Sequence, residues 1–449
     1  MIAARDLTSL IEPSLAQSAS AAVTGKPRFT LDGSVELESH LEQTCRQVLA
    51  AIRNAVPERK LEAVLLGGGY GRGEGGVWKT RTGDRPYNDL ELYVFLRGNN
   101  FLNSRRYHAV LNEVAEKLTP IAGVEVEFKV LSLGKLRRSP VSMFYYDLVM
   151  GHRWLLGEED LLIGCEHHRQ ADRIPLSEAT RLLLNRCTGL LLAGERLDRP
   201  SLSADAADFV SRNLAKAKLA FGDAVLAAVG QYHWSCRERH RRLEKLVNAE
   251  DIHWLPEVFR LHKAGVEFKL SPQPSQESKA ALQALHAEIA GLALSIWLWL
   301  ETRRLHHPFA SAWDYALSPL NKCPESGRLK NAALNLCAFG PSAVFDERIL
   351  RHPRERLLHA LALLLCRSGA WEESVLVRRI QKELRGANWH PARVDSRTKW
   401  GRPRARALSR SRSFAGTRRP CPVPLAVLNR PWGLAHALAA YTSLWRRFR

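Results

Sequence analysis

Residues 63–96 read AVLLGGGYGRGEGGVWKTRTGDRPYNDLELYVFL, and this stretch restricts the possible folds more than any other. A short apolar run (63–66) between charged residues and glycines reads as a buried strand. The glycine-rich segment Gly67 to Gly76 follows, and then a second strand, 89–96, with acids at alternate positions. Side chains two residues apart on a strand share a face, so Asp89 and Glu91 put two carboxylates on one spot. A hard divalent cation relieves their repulsion, and Mg²⁺ takes one or two protein carboxylates together with substrate phosphates. The glycines let backbone amides approach an anion, and a helix starting there adds its positive end. Arg72 offers a planar fork of donors for phosphate oxygens. Together these residues imply a site for a nucleoside triphosphate and a metal. A P-loop is excluded because no Gly-Lys-Ser/Thr follows the glycines.

The pattern resembles the signature of the DNA-polymerase-β-type nucleotidyltransferase superfamily. Gly68-Gly69 match its glycine doublet, Arg72-Gly73-Glu74 its arginine segment, and Asp89-Leu90-Glu91 its metal-binding pair. Two departures stand out: Gly69 replaces a frequent serine, and residues 79–87 look like an inserted loop. The resemblance implies a two-metal Mg²⁺ site on Asp89, Glu91 and a third carboxylate from the strand expected at 123–131. Glu127 is the first choice there and Glu125 the second. Gly68, Gly69, Tyr70, Arg72 and Glu74 would hold the donor nucleotide. The implied reaction moves a nucleoside monophosphate, AMP from ATP first, onto a hydroxyl-bearing acceptor with release of pyrophosphate. Small molecule, protein and RNA end all remain open as acceptors. The alternatives are a catalytically degenerate nucleotide sensor and an antitoxin-like enzyme that modifies a protein partner. A helix and strand within 140–165 would close the fold, and the helices behind it resemble the acceptor wall of aminoglycoside nucleotidyltransferases.

The expected class is α+β: a small mixed sheet flanked by helices, then an all-α region. At 449 residues there is room for two or three domains. The expected divisions are a poorly ordered 1–34, a nucleotidyltransferase domain 35–165, a helical substrate or partner domain 166–386, a basic linker 387–423 and a terminal helix 424–449. Apolar spacing predicts helices at 37–56, 106–118 (closed by Pro120), 177–197, 204–229, 237–247, 278–304, 326–337, 353–366 and 434–448.

Eight scattered cysteines without a Cys-x-x-Cys pair argue against a zinc ribbon and for free thiols in a reducing cytoplasm. No secretory leader is expected, and the apolar run 289–300, bracketed by Glu288 and Glu301, looks too short for a bilayer, so no membrane partner is expected. The net charge of +20 is uneven, because residues 391–449 hold fourteen Lys or Arg and one Asp. Any weak, non-specific nucleic-acid contact therefore belongs to this tail rather than to the whole chain.

Other chemistry-bearing residues have bland readings that outweigh the sharp ones. Asp223 reads as an acceptor-side base or a helix residue. Arg237, Arg239, Arg241 and Arg242 read as an anion site or a solvated face. The pairs His167-His168 and His306-His307 lack metal-ligand spacing. Arg354 and His359 fit a ribonuclease spacing that arises readily by chance, and Tyr145 and Tyr146 read as core aromatics.

Overall fold

The computed structural model describes residues 27–249, 252–366, 373–384 and 434–448. The basic segment 387–423 and the first 26 residues lie outside the described residues. The architecture is mixed α+β with a helical majority and small mixed sheets.

Helix α1, Val35–Ala55, opens where the Ser34 hydroxyl accepts the Leu37 amide, and it turns Leu37, Leu41, Val48 and Ile52 inward. Packing begins before it, since Phe29 and Thr30 are buried and both backbone amides donate to Glu38. Strand β1 (Leu61–Leu66) leads into the one-turn helix α2 (Gly68–Gly71), and strands β2 (Val77–Thr80) and β3 (Gly83–Pro86) form a separate hairpin. The expected inserted loop at 79–87 is therefore largely this antiparallel hairpin, turning at Gly83 with φ +117°.

Strand β4 (Leu90–Leu96) runs through helix α3 (Asn100–Ala122) to strand β5 (Val126–Leu131). Helices α4 (Leu133–Arg138) and α5 (Met143–Met150) then lead to strand β6 (Arg153–Leu156). The four-stranded sheet has the order β5-β4-β1-β6, with β4 and β5 parallel and β1 antiparallel to both its neighbours. Both faces are covered. Val64 and Leu66 pack with α1 and α3, while Ala63 and Leu65 pack with Leu136, Leu148 and Val149. A strand buried on both faces reads as a continuous apolar run. Helix α3 passes through Pro120 and stops at Gly123, φ +74°, so the expected closure at the proline is corrected. A proline in the last turn removes one ladder bond without a following turn to disrupt.

The remainder is helical. It comprises α6 (Leu176–Leu197), α7 (Ala204–Ala228), α8 (Cys236–Ala249), α9 (Leu255–Leu270), α10 (Lys279–Leu305), α11 (Ala312–Leu317), α12 (Arg328–Phe339), α13 (Arg354–Leu365), α14 (Glu373–Leu384) and α15 (Leu434–Phe448). These helices share one core around Leu183, Phe221, Trp297 and Leu361. Helix α15 docks on α6 through Tyr441 Oη and Thr188 Oγ1 at 2.8 Å and through Trp445 Nε1, which donates to Asn185 Oδ1. Helices α9, α11 and α14 had no counterpart in the sequence reading.

Helix α10 matches the expected 278–304 helix, within which the apolar run 289–300 lies. By length and composition alone its 27 residues reach the span of a bilayer. It nonetheless buries Ile289, Ile296, Trp297 and Leu300, together with Glu301, which accepts from Thr180 and Tyr315 hydroxyls and pairs with Arg304.

Candidate active site

The site is built on the N-terminal ends of β4 and β5. Their parallel register sets Glu91 directly beside Glu127, and the Leu90 amide donates to the Glu125 carbonyl. Lys129 lies two residues beyond Glu127 on the same face. Its ammonium bridges the two glutamates, 3.1 Å from Glu91 Oε2 and 3.3 Å from Glu127 Oε2. Tyr93 donates its hydroxyl to the same Glu91 oxygen at 2.7 Å, and the ammonium lies over the Tyr93 and Phe144 rings, 5.4 and 5.8 Å from their centres.

These contacts divide the acids electrostatically. Burial opposes ionisation of Glu91, but Lys129 and the Tyr93 hydrogen bond outweigh it and hold the pKa low. Lys129 loses hydration too, and Glu91 and Glu127 more than restore its charge. Asp89 precedes the strand. Loss of hydration first, then repulsion from Glu91 and Glu127, raises its pKa despite Lys129. Lys216 of α7 lies within electrostatic reach of Asp89: burial, with help from Arg186 and Arg212, lowers its pKa to about 8, and Asp89 pulls the other way. Both side chains are solvent-exposed.

The glycine turn sits against this cluster. The Gly67 amide donates to the Glu91 carbonyl at 2.8 Å. Gly68 has φ +61°, and a Cβ there would stand 2.9 Å from Glu91 Oε1. Only glycine takes that conformation without strain and leaves room for the carboxylate. Gly71 has a different requirement, because a Cβ would run into the Leu66 carbonyl oxygen of the backbone. Gly71→Ala is expected to cost about 3 kcal/mol by overpacking, read as a lower urea midpoint at constant m-value.

The structure sends the other expected nucleotide contacts elsewhere. Tyr70 is fully buried; its hydroxyl donates to the Gly76 carbonyl and accepts the Tyr87 amide. Arg72 turns inward, donating to the Gly68 and Trp234 carbonyls and pairing with Asp147 at 3.2 Å. Glu74 accepts from the Ser235 hydroxyl and the Cys236 amide, capping the start of α8. Burial opposes its ionisation, and those hydrogen bonds overcome the penalty. Gly69 is enclosed by the backbone of Glu74 and Gly75. Arg72 and Glu74 therefore tie the glycine loop to the helical region instead of reaching toward the acids. Glu125 precedes β5, whereas Glu127 is paired in register with Glu91 and shares the Lys129 ammonium with it.

The remaining sequence candidates resolve into structure. Asp223 is a buried partner of Arg239 at 2.8 Å, with His262 Nε2 at 3.2 Å. Arg241 and Arg242 pair with Glu238. His168 Nε2 lies 2.9 Å from the Leu136 carbonyl, and His306 is the left-handed cap of α10. Arg354 donates to the Phe448 carbonyl while His359 lies against Glu383. Lys129, Tyr93, Asp147 and Lys216 escaped the sequence reading. Lys129 and Tyr93 left a legible signal, as the next same-face residues after Glu127 and Glu91.

Among the described residues, no group of three or more His, Cys, Asp and Glu is arranged to hold a metal ion. The donor set still suits one. Glu91 and Glu127 are paired across β4 and β5, Asp89 feels the charge of both, and the missing Cβ of Gly68 avoids a clash with Glu91 Oε1, so hard oxygen donors of the kind Mg²⁺ takes lie within electrostatic reach of one another. Compared with protein-family models, curated proteins and solved structures, the chain matches none.

Proposed function

We propose that this chain is a metal-dependent nucleotidyltransferase that transfers a nucleoside monophosphate, AMP first, from a triphosphate to a hydroxyl-bearing acceptor. The observation that carries the reading is the Glu91–Glu127 pair on adjacent strands beside the Gly68 turn, with Asp89 within reach of both charges. The mixed sheet, with its antiparallel β1–β4 pair followed by a parallel β5, agrees with the nucleotidyltransferase fold inferred from the glycine and acid motifs.

In this reading Asp89 and Glu91 would hold Mg²⁺, which would supply charge stabilisation for the transferred phosphoryl group. The acceptor oxygen forms a bond to the α-phosphorus as the bond to pyrophosphate breaks, and Glu127 takes the hydroxyl proton. Lys216, within electrostatic reach of Asp89, adds positive charge near the same acids. Positioning and charge stabilisation supply the rate.

One observation favours a second reading. Lys129 already neutralises Glu91 and Glu127, as in a nucleotide sensor that has lost turnover. Incubation with α-labelled ATP, Mg²⁺ and cell extract separates the two. The transferase reading expects pyrophosphate release and a labelled acceptor. ATP binding without either supports the sensor, and absence of both binding and labelling overturns the nucleotide site.

A further inference from the structure

We propose that Lys129 is a resident cation of the acid cluster, so that the site takes one divalent metal, on Asp89 and Glu91 Oε1, where the superfamily resemblance implies two. This rests on the transferase reading above. Lys129 is no bystander on the strand. Its ammonium touches one oxygen of each glutamate, 3.1 and 3.3 Å away, which is where a metal bridging Glu91 and Glu127 would need to stand. A Mg²⁺ ion requires its oxygens at about 2.0–2.1 Å and does not share them with an ammonium.

Three further features fix the ammonium there. Glu91 Oε2 is doubly engaged, since Tyr93 donates to the oxygen that Lys129 meets. The Tyr93 and Phe144 rings lie under the charge. The Lys129 side chain is one-third exposed, so leaving its partners for water gains it only part of a hydration shell. Glu91 Oε1, on the Gly68 side, and the carboxylate of Asp89 remain for the single metal.

The test is a titration with Mn²⁺ alone, following free Mn²⁺ by electron paramagnetic resonance and heat by calorimetry. The wild-type chain is expected to bind one Mn²⁺, and Asp89→Asn to lose it. Lys129→Met is expected to bind two, with the first at least about tenfold tighter because a neighbouring positive charge is gone. Lys129→Arg should return the count to one. Circular dichroism checks each fold, and Lys129→Gln replaces the methionine variant if that one misfolds. Two Mn²⁺ in the wild-type chain, or an unchanged count and affinity in both Lys129→Met and Lys129→Gln, overturns the inference and leaves the transferase reading standing. No Mn²⁺ bound to any of these proteins overturns both.

Discussion

Asp89→Asn is expected to lower nucleotidyl transfer about a thousandfold, equivalent to roughly 4 kcal/mol of transition-state stabilisation, with the fold intact. The substitution is nearly isosteric and removes the acid of the cluster whose ionisation is opposed by its acidic neighbours. Its stability consequence has a definite sign. Burial and the charges of Glu91 and Glu127 make ionised Asp89 unfavourable in the folded chain, so neutralising it relieves repulsion. The variant should melt at or slightly above the wild-type temperature while pyrophosphate release falls away. Wild-type turnover in Asp89→Asn would remove Asp89 from the chemistry. A loss of turnover accompanied by unfolding would assign it to structure.

The second large effect lies away from the acids. Asp223→Ala is expected to destabilise the protein by roughly 3–5 kcal/mol, the cost of breaking a buried ion pair and leaving one charge behind. Arg239 is 2 % exposed, and its remaining contacts are the Tyr232 hydroxyl at 2.7 Å and the His233 carbonyl at 3.1 Å, neither of which carries compensating charge. Tyr232 in turn donates to Asp147, which pairs with Arg72, whose Nε donates to Gly68. The damage therefore runs along one ionic line from the helical core to the glycine turn, and urea denaturation of Asp223→Ala should show it as a lower midpoint.

The same pair predicts a pH response. Burial disfavours the Asp223 carboxylate, but Arg239 and the His262 hydrogen bond outweigh it, so its folded pKa lies below the ordinary Asp value. A depressed carboxylate pKa contributes stability that is fully present above the unfolded value, about 3.9, and is lost as pH falls through the folded one. Asp223→Asn should flatten that acid limb. An identical acid limb in the variant would show that the pair does not shape it.

The strand–glycine–strand order, most helices of the second half and the docking helix 434–448 were legible from the chain because helix and strand periodicity is local. Helix α9 was not, because its inward residues Val258, Leu261 and His262 are interleaved with charges and its packing surface is supplied by α7. Tyr70, Arg72 and Glu74 show the same limit at the site. Their residue types fit a phosphate cradle, yet their partners are Gly76, Asp147, Trp234 and the start of α8, as far as 162 positions away in the chain.

By itself, then, the sequence determined that an apolar strand, a glycine turn and an acid-bearing strand follow one another and that most of the second half is helical, since these depend on neighbours within a few residues. That Lys129 stands between Glu91 and Glu127, and that the loop arginine faces inward, were decided only when β5, α5 and α8 packed against the glycine turn. Strand register and charge pairing over long separations are set by the burial that packing imposes.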